Sequence, residues 1–419
     1  MKPIFLYGPP ASGKSTLGKR LAGALGRKFI DLDVFIEERE GRPIPEIFRN
    51  SGEGVFRKKE SEALCAAIQC GDDAVIALGG GTLLDAHNRE LTEAHGIVWR
   101  LEAPSPEELA RRIALKPGTR PLGNKAIERA AHYASFQSVV AMTFDLGNSL
   151  VVVGQKLGGF AGYAKFAIAD ATAASLNGKA LADLPTFVVP SGEQFKRLET
   201  IASIWEALRK AEISRHDRIL AFGGGVTGDL TGFAAATYQR GIKFIQIPTT
   251  LLSAVDASVG GKTAVNLDHG KNLAGLFHQP IAVICDTDTL QTLPAHEIAD
   301  GSAEAIKHGI LDDPALFDIY ENGVPSEKYE EIIVRSVIYK SKIVTEDPNE
   351  KGVRKMLNLG HTPAHAIERL SDFAVSHGHA VAMGLAMMTR AAAKRGILSS
   401  DDAARVLRTI GRADLPTAC

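Results

Sequence analysis

Short apolar runs alternate with amphipathic stretches through the first part of the chain, the arrangement of α/β folds. Residues 4–7 (IFLY) predict a strand. A glycine-rich turn follows, and then Leu17, Leu21 and Leu25 line one face of a helix that Gly26 closes. Further strands are predicted at 28–30, 74–78 and 97–101, and a loop rich in glycine, proline and basic residues at 116–125. Residues 135–148 form a weakly marked boundary. A second α/β block begins near Ser149, with strands expected at 150–153, 166–169, 187–189, 219–222, 244–247 and 282–285. After about Ala295 the strand signal stops, and 326–346, 363–370 and 380–395 read as helices. The pattern predicts three parts: α/β regions at 1–140 and 141–295, and a helical region at 296–419.

Composition narrows the partners. The 419 residues are 45% hydrophobic and 23% charged, with a formal net charge of −1. That balance suits a globular protein and supplies no basic field for nucleic acid or an anionic membrane. Local sites must then do any phosphate binding. Cys65, Cys70, Cys285 and Cys419 form no CxxC pair and suggest a reducing cytoplasm. The opening MKPIFLYGPPASGKST is not expected to be a signal peptide, and no run approaches the roughly 18 apolar residues that span a bilayer.

Candidate chemistry begins at residues 8–15, GPPASGKS, which match GxxxxGK[ST] between a predicted strand and a predicted helix. Backbone N–H groups around Ala11, Ser12, Gly13 and Thr16 would curl round phosphates, with the helix N-terminus adding its dipole. Lys14 would reach the β/γ-phosphates and Ser15 would hold Mg²⁺. Asp31 and Asp33 follow the second strand, where alternation is expected to put both on one side. Gly79, Gly80 and Gly81 end the third strand, where bare backbone allows a close approach.

These features, with GEGVFR at 52–57, resemble shikimate kinase over about residues 1–137. The resemblance implies a P-loop NTPase-type parallel sheet and ATP with Mg²⁺. It implies that Asp31 helps position Mg²⁺ and that Asp33 contacts the hydroxyl to be phosphorylated. Arg57 and Arg129 would clamp the shikimate carboxylate, which suits the planar guanidinium fork, and Gly80 would line the pocket. Arg120 would be the lid arginine over ATP, in a lid shorter than the family's.

A second glycine turn, GGGVTGD at 223–229, follows a predicted strand and precedes a helix; alone it fits a nucleotide loop or an ordinary βα turn. PSGEQFK at 190–196 and Thr249-Thr250 follow other strands, so these loops would meet at one crevice. Arg240, Asp256, Lys262, Lys271 and Asn272 then form a dense polar stretch suited to an acidic, phosphorylated substrate. Glu304, His361 and His377 are far apart in sequence. His361 and His365 share a helical face, which fits a two-histidine metal face, or one ligand plus one proton carrier.

Residues from about 145 to 415 resemble 3-dehydroquinate synthase, through 190–196, 223–232, YQRG at 238–241, 248–266, 270–272, EAIK at 304–307, LNLGHT at 357–362 and His377-Gly378. The resemblance implies a Rossmann-like NAD site followed by an all-helical metal and substrate part. Ser191, Gly192, Glu193, Gln194, Phe195, Lys196, Gly225, Val226, Thr227, Gly228, Asp229, Thr249, Thr250, Lys262, Lys271, Thr289, Leu290, Gln291 and Thr292 would line the NAD side. Glu304, His361 and His377 would hold a divalent metal, Zn²⁺ or Co²⁺, with His365 a proton carrier or phosphate contact. Arg240, Asp256, Lys262, Asn272, Lys307, Lys340, Arg354 and Asn358 match the family's substrate pocket. Family members continue past this sequence with further segments that supply a basic residue near the substrate. Without them, the helix at 401–410 is expected to leave an apolar face uncovered.

The expectation is a cytoplasmic, bifunctional shikimate-pathway enzyme acting on small molecules, dimeric by resemblance. Its rivals are a kinase joined to another sugar-phosphate cyclase or iron-type alcohol dehydrogenase, and a kinase joined to a synthase-like regulatory module without turnover.

Overall fold

The computed structural model describes residues 2–71, 73–102, 111, 129–158, 160–181, 184–268, 270–323 and 326–418. The chain divides into two compact units, Met1–Thr143 with Gly154–Tyr163, and Phe144–Val153 with Ala164–Cys419.

The first unit is built on strands β1 (Ile4–Tyr7), β2 (Phe29–Asp31), β3 (Val75–Ala77), β4 (Ile97–Leu101) and β5 (Val139–Asp145), in the order β2-β3-β1-β4-β5. The pairs β2/β3, β3/β1, β1/β4 and β4/β5 are parallel. All four side chains of β1 are buried, as expected of a parallel strand covered on both faces. Leu17, Leu21 and Leu25 are the buried face of helix Lys14–Leu25, and Gly26 caps it in the left-handed conformation. Gly18 lets that helix close on β2, because a Cβ there would run into the Phe29 ring. The segment Ile44–Gln69 is two helices joined at Gly52, whose φ of 78° breaks the first.

The second unit opens with β6 (Leu150–Gln155), β7 (Phe166–Asp170), β8 (Thr186–Val189), β9 (Arg218–Gly223) and β10 (Lys243–Pro248). A hairpin of β11 (Lys262–Leu267) and β12 (Gly270–Phe277) precedes β13 (Ala282–Asp286). Its main sheet runs β6-β13-β10-β9-β7-β8, with β8/β7, β7/β9, β9/β10 and β10/β13 parallel. Strand order reverses between β7 and β9, so a crevice opens at their C-terminal ends. Beyond residue 295 the described residues form helices only: Ala295–Leu311, Pro314–Glu321, Tyr329–Glu346, His361–Leu370, His377–Lys394 and Ser400–Arg412, with short 3₁₀ turns. No helix among the described residues is long and apolar enough to cross a membrane.

Several sequence expectations shift. Residues 139–145, within the weakly marked boundary, form β5. The polar stretch at 262–272 is largely the β11/β12 hairpin. β2 ends at Asp31, and Asp33 lies in the first turn of helix Leu32–Glu40. The two carboxylates therefore meet through helix capping, not strand alternation: Asp31 accepts the N–H of Asp33. The helix expected from residue 380 begins at His377. The last helix is not left bare, since Ile410 and Leu415 are buried in the helical core.

Helix Leu198–Lys210 buries Ile201, Ile204 and Leu208 at helical spacing beneath the β7–β9 region. Leu208→Ala should cost about 2–5 kcal/mol of stability, read as a lowered urea midpoint of the transition that reports the second unit.

Candidate functional site

In the first unit, Gly8, Ala11 and Gly13 take positive φ values of 141°, 64° and 98°, which curl the loop into the start of helix Lys14–Leu25. The Lys14 ammonium donates to the carbonyls of Gly8 and Pro9, both at 2.8 Å, and so spans the loop mouth. Ser12 and Thr16 flank it on the loop and helix. Ser15 Oγ donates to Asp31 Oδ2 at 2.6 Å, joining the proposed Mg²⁺ groups in one contact.

The three glycines after β3 are surrounded by functional side chains. A Cβ on Gly79 would meet Glu60, Asp33 and Thr82; on Gly80 it would meet Pro10; on Gly81, Arg57 and Arg129. Asp33, Arg57, Gly80 and Arg129 therefore converge beside the phosphate loop. Tyr133 donates to Gly80 O at 2.6 Å and fixes that peptide. Arg57 donates to Glu60 at 2.5 Å and to Glu53 at 3.3 Å. Asp33 is exposed, yet its carboxylate is crowded by neighbours, with Oδ1 close against Gly79. Desolvation there, with Asp31 and Glu60 adding repulsion, raises its carboxyl to about 6. Arg120 lies outside the described residues, as does the predicted loop at 116–125.

Glu60 and Thr82 escaped the sequence reading. Glu60 is 1% exposed and accepts from Thr82 Oγ1 at 2.7 Å. Its signal was a carboxylate on the buried stripe of Phe56, Ala63, Leu64 and Ala67.

In the second unit the glycine turn sits where strand order reverses. Gly224 is the N-cap of helix Gly225–Thr237, so the N–H groups of Gly225, Val226 and Thr227 form its open N-terminus, while the Gly228 N–H already donates to Gly224 O at 3.0 Å. A Cβ on Gly223 would strike Thr227 and Asp170, and one on Gly224 would meet Thr250. Thr249 N–H donates to Gly223 O at 3.0 Å, and Thr289 Oγ1 to Pro248 O at 3.3 Å, tying the neighbouring loops, including the turn with Leu290, Gln291 and Thr292, to the same edge. Asp170, at the end of β7, also escaped the sequence reading. It accepts from Ser191 Oγ at 2.9 Å and from the Thr172 and Ala173 N–H groups. Its sequence signal was an acid ending an apolar strand.

A second layer holds the loop of Gly192, Glu193, Gln194 and Phe195. Lys196 is buried, pairs with Asp229 and donates to Asn272 at 2.6 Å. Asn266 donates to Glu193 at 2.7 Å and accepts from the Asn272 N–H at 2.9 Å.

The helical part brings Glu304, His361 and His377 together, each with one donor atom within 4.8 Å of the others. Glu304 is fully buried; His361 and His377 place Nε2 at 3.5 and 3.3 Å from its Oε1, and Lys307 pairs with it. Burial alone would raise the Glu304 carboxyl, but Lys307 and the two histidines hold it well below the usual range. This carboxylate-plus-two-imidazole set, closely spaced and charge-compensated, fits a divalent metal of the zinc type. Glu368, buried, lies 3.6 Å from the other nitrogen of His377 and accepts from Lys271 Nζ at 2.8 Å. Lys271 therefore meets the histidine cluster through Glu368. His365 stacks edge-on against His361 at 5.6 Å on the exposed side and is outside the three-residue group.

Asp256 lies on a π-helical turn, Ser253–Ala257, a distortion that often marks functional positions. Lys340 donates to its carboxylate at 2.6 Å, and His308 is 3.7 Å away. Burial lowers the Lys340 pKa. Arg354 is buried and donates to the Pro348 and Gly260 carbonyls at 2.8 and 3.1 Å. Lys262 pairs with Glu350, which also accepts from Asn358 at 2.9 Å. Arg240 is different: it is exposed past the far end of the 13-residue helix Gly225–Thr237. At 1.5 Å rise per residue, that is about 20 Å from the glycine turn.

A family profile described as shikimate kinase matches residues 10–140. Profiles described as 3-dehydroquinate synthase N-terminal and C-terminal match 186–300 and 301–419. A 3-dehydroquinate synthase of Methylococcus capsulatus is 48% identical over 254 residues, 59% of this chain and 70% of that protein. One of Caulobacter vibrioides is 48% identical over 237 residues, 55% of this chain and 64% of that protein. Among solved structures, a 2-epi-5-epi-valiolone synthase from Streptomyces hygroscopicus, with NAD⁺ and Zn²⁺ bound, is 28% identical. It aligns with a TM-score of 0.61 over 68% of this chain and 84% of that one.

The Lys271–Glu368–His377 chain predicts that Glu368 orients a metal-binding imidazole. Glu368→Ala should weaken Zn²⁺ binding by the full chain about 10–100-fold, measured by competition with a chromophoric chelator.

Proposed function

The chain belongs to the 3-dehydroquinate synthase family, and from that premise, with a shikimate kinase region ahead of it, we propose a bifunctional enzyme of aromatic amino-acid biosynthesis. One activity is ATP-dependent phosphorylation of shikimate to shikimate 3-phosphate, a phosphotransfer. The other is NAD- and metal-dependent conversion of the seven-carbon sugar acid phosphate DAHP to 3-dehydroquinate with release of phosphate, a lyase reaction. We assign 1–140 to the kinase, 141–295 to the NAD-binding part and 296–419 to the metal and substrate part. The same resemblance extends the proposal to a homodimer working in the cytoplasm.

In the kinase half, phosphoryl transfer asks mainly for positioning and charge neutralisation. Lys14 supplies positive charge at the loop mouth, and Ser15 with Asp31 would hold Mg²⁺. Arg57 and Arg129 grip the substrate carboxylate beside Gly81, and Asp33 faces the hydroxyl that attacks. A carboxyl raised to about 6 is still mostly ionised at neutral pH, and its raised basicity suits it to accept that proton.

In the synthase half, the N–H groups at the start of helix Gly225–Thr237 would hold NAD and Glu304, His361 and His377 a divalent metal, which when bound would supply hydride acceptance and return and polarisation of the alcohol oxygen. Oxidation acidifies the adjacent C–H, so phosphate can leave; ring opening and aldol closure follow. The chain's own groups hold and orient the substrate. Lys340, Lys307 and Arg354 supply cations for phosphate and carboxylate in a buried setting, where charge acts strongly. Asp256 keeps the Lys340 ammonium aimed. The observation that carries the proposal furthest is the meeting of Glu304, His361 and His377 in the same unit as the glycine turn of β9.

Purified full-length chain with NAD and Zn²⁺ should release phosphate from DAHP and lose that activity in EDTA; no release with both present overturns the synthase half. Lys14→Ala should cut shikimate-dependent ATP consumption by about 10²–10³ or more and leave phosphate release from DAHP intact.

A further inference from the structure

Helix Ala295–Leu311 carries Glu304, and one turn earlier it carries a second buried carboxylate, Asp300. Neither mechanism above uses Asp300. Its Oδ1 accepts the backbone N–H of His379 at 3.1 Å, accepts from Ser376 Oγ, and lies 3.2 Å from His379 Nδ1. Ser376 precedes helix His377–Lys394 and makes no side-chain cap of its own to that helix. A helix start leaves N–H groups without intrahelical partners and favours a negative charge. Asp300 meets both needs from a different helix. The backbones also touch, since a Cβ on Gly378 would run into the Asp300 carbonyl.

A serine, a histidine and an aspartate in contact invite a nucleophilic reading, which the geometry rejects. Ser376 Oγ and Asp300 Oδ1 both lie on Nδ1 of His379, at 2.8 and 3.2 Å. A relay needs serine and aspartate on opposite ring nitrogens.

We infer that Asp300 is a positioning residue: it caps the helix that begins at His377 and so sets the separation of His377 from Glu304, which lies one turn along Asp300's own helix. The inference rests on reading Glu304, His361 and His377 as metal ligands.

The test uses the full chain loaded with Co²⁺, followed by its visible absorption and by chelator competition well below the melting temperature, with far-UV circular dichroism to report folding. Asp300→Ala should lower Co²⁺ affinity about tenfold or more and shift the visible bands. Asp300→Asn, whose amide oxygen can still accept from the His379 N–H, should stay close to the wild type. An Asp300→Ala protein with wild-type affinity and spectrum overturns the inference, even if it melts at a lower temperature. Should that variant not fold, Ser376→Ala carries the test: a several-fold loss supports the inference and an unchanged affinity overturns it. A wild-type chain that binds no Co²⁺ overturns the metal reading itself, an outcome visible before any variant is made.

Discussion

The carboxylate of Glu304 is fully buried, and much of the second unit's helical part is arranged to answer its charge. An uncompensated charge in a protein interior costs several kcal/mol, so its partners must arrive in register. Lys307 comes from the same helix, one turn on; His361 and His377 come from the starts of two others. Glu368 and Lys271 then fix the second nitrogen of His377, and the Asp256–Lys340–His308 group packs close by. Asp300, Glu304, Lys307 and His308 share one face of helix Ala295–Leu311, whose residues 299–309 are buried all round. A helix with such a face cannot be exchanged for an apolar one of equal volume without losing the site, which ties stability and chemistry to the same residues.

The first unit solves a smaller version of the same problem. Glu60 is buried, and its two oxygens are met by Arg57 and Thr82. Those contacts hold Arg57 against Gly81 and bring Thr82 under Gly79. The glycines leave room for bare backbone, while Glu60 keeps the guanidinium from wandering into solvent. Arg57 also rests over the Phe56 ring, which adds a face for the planar cation.

Local rules read well from sequence. The strand–turn–helix at 4–25, the apolar strands of the second block and the change to all-helical structure after Ala295 all depend on periodicity, glycine and caps within a few residues. The family motifs brought in Glu304, His361 and His377, which spacing alone left open. What stayed hidden depends on partners distant in sequence. Glu60 needs Thr82, Glu368 needs Lys271 and His377, and Asp300 needs Ser376 and His379. The β11/β12 hairpin was obscured because polar Lys262, Asn266, Lys271 and Asn272 interrupt the alternation of apolar residues. Asp31 and Asp33 were paired for the wrong local reason: a cap and its helix replace two strand positions.

The two glycine turns share a backbone but not an electrostatic setting, and the difference separates their chemistry. Both put a helix N-terminus at the end of a parallel strand, so both welcome an anion. At the first, Lys14 lies across the mouth and Asp31 with Ser15 stands ready for a divalent cation. Phosphate charge arriving there would be met by positive charge, as transfer requires. At the second, the nearby lysine, Lys196, is committed to Asp229 and Asn272, and Asp170 brings a carboxylate to the strand end beside Gly223. Carboxylate there favours hydroxyl donors and opposes a highly charged triphosphate. Backbone N–H groups with one acid suit a pyrophosphate flanked by ribose hydroxyls. On the proposed reading, a turn so furnished would hold a nucleotide in place without acting on its phosphates, leaving the chemistry to the groups gathered around Glu304.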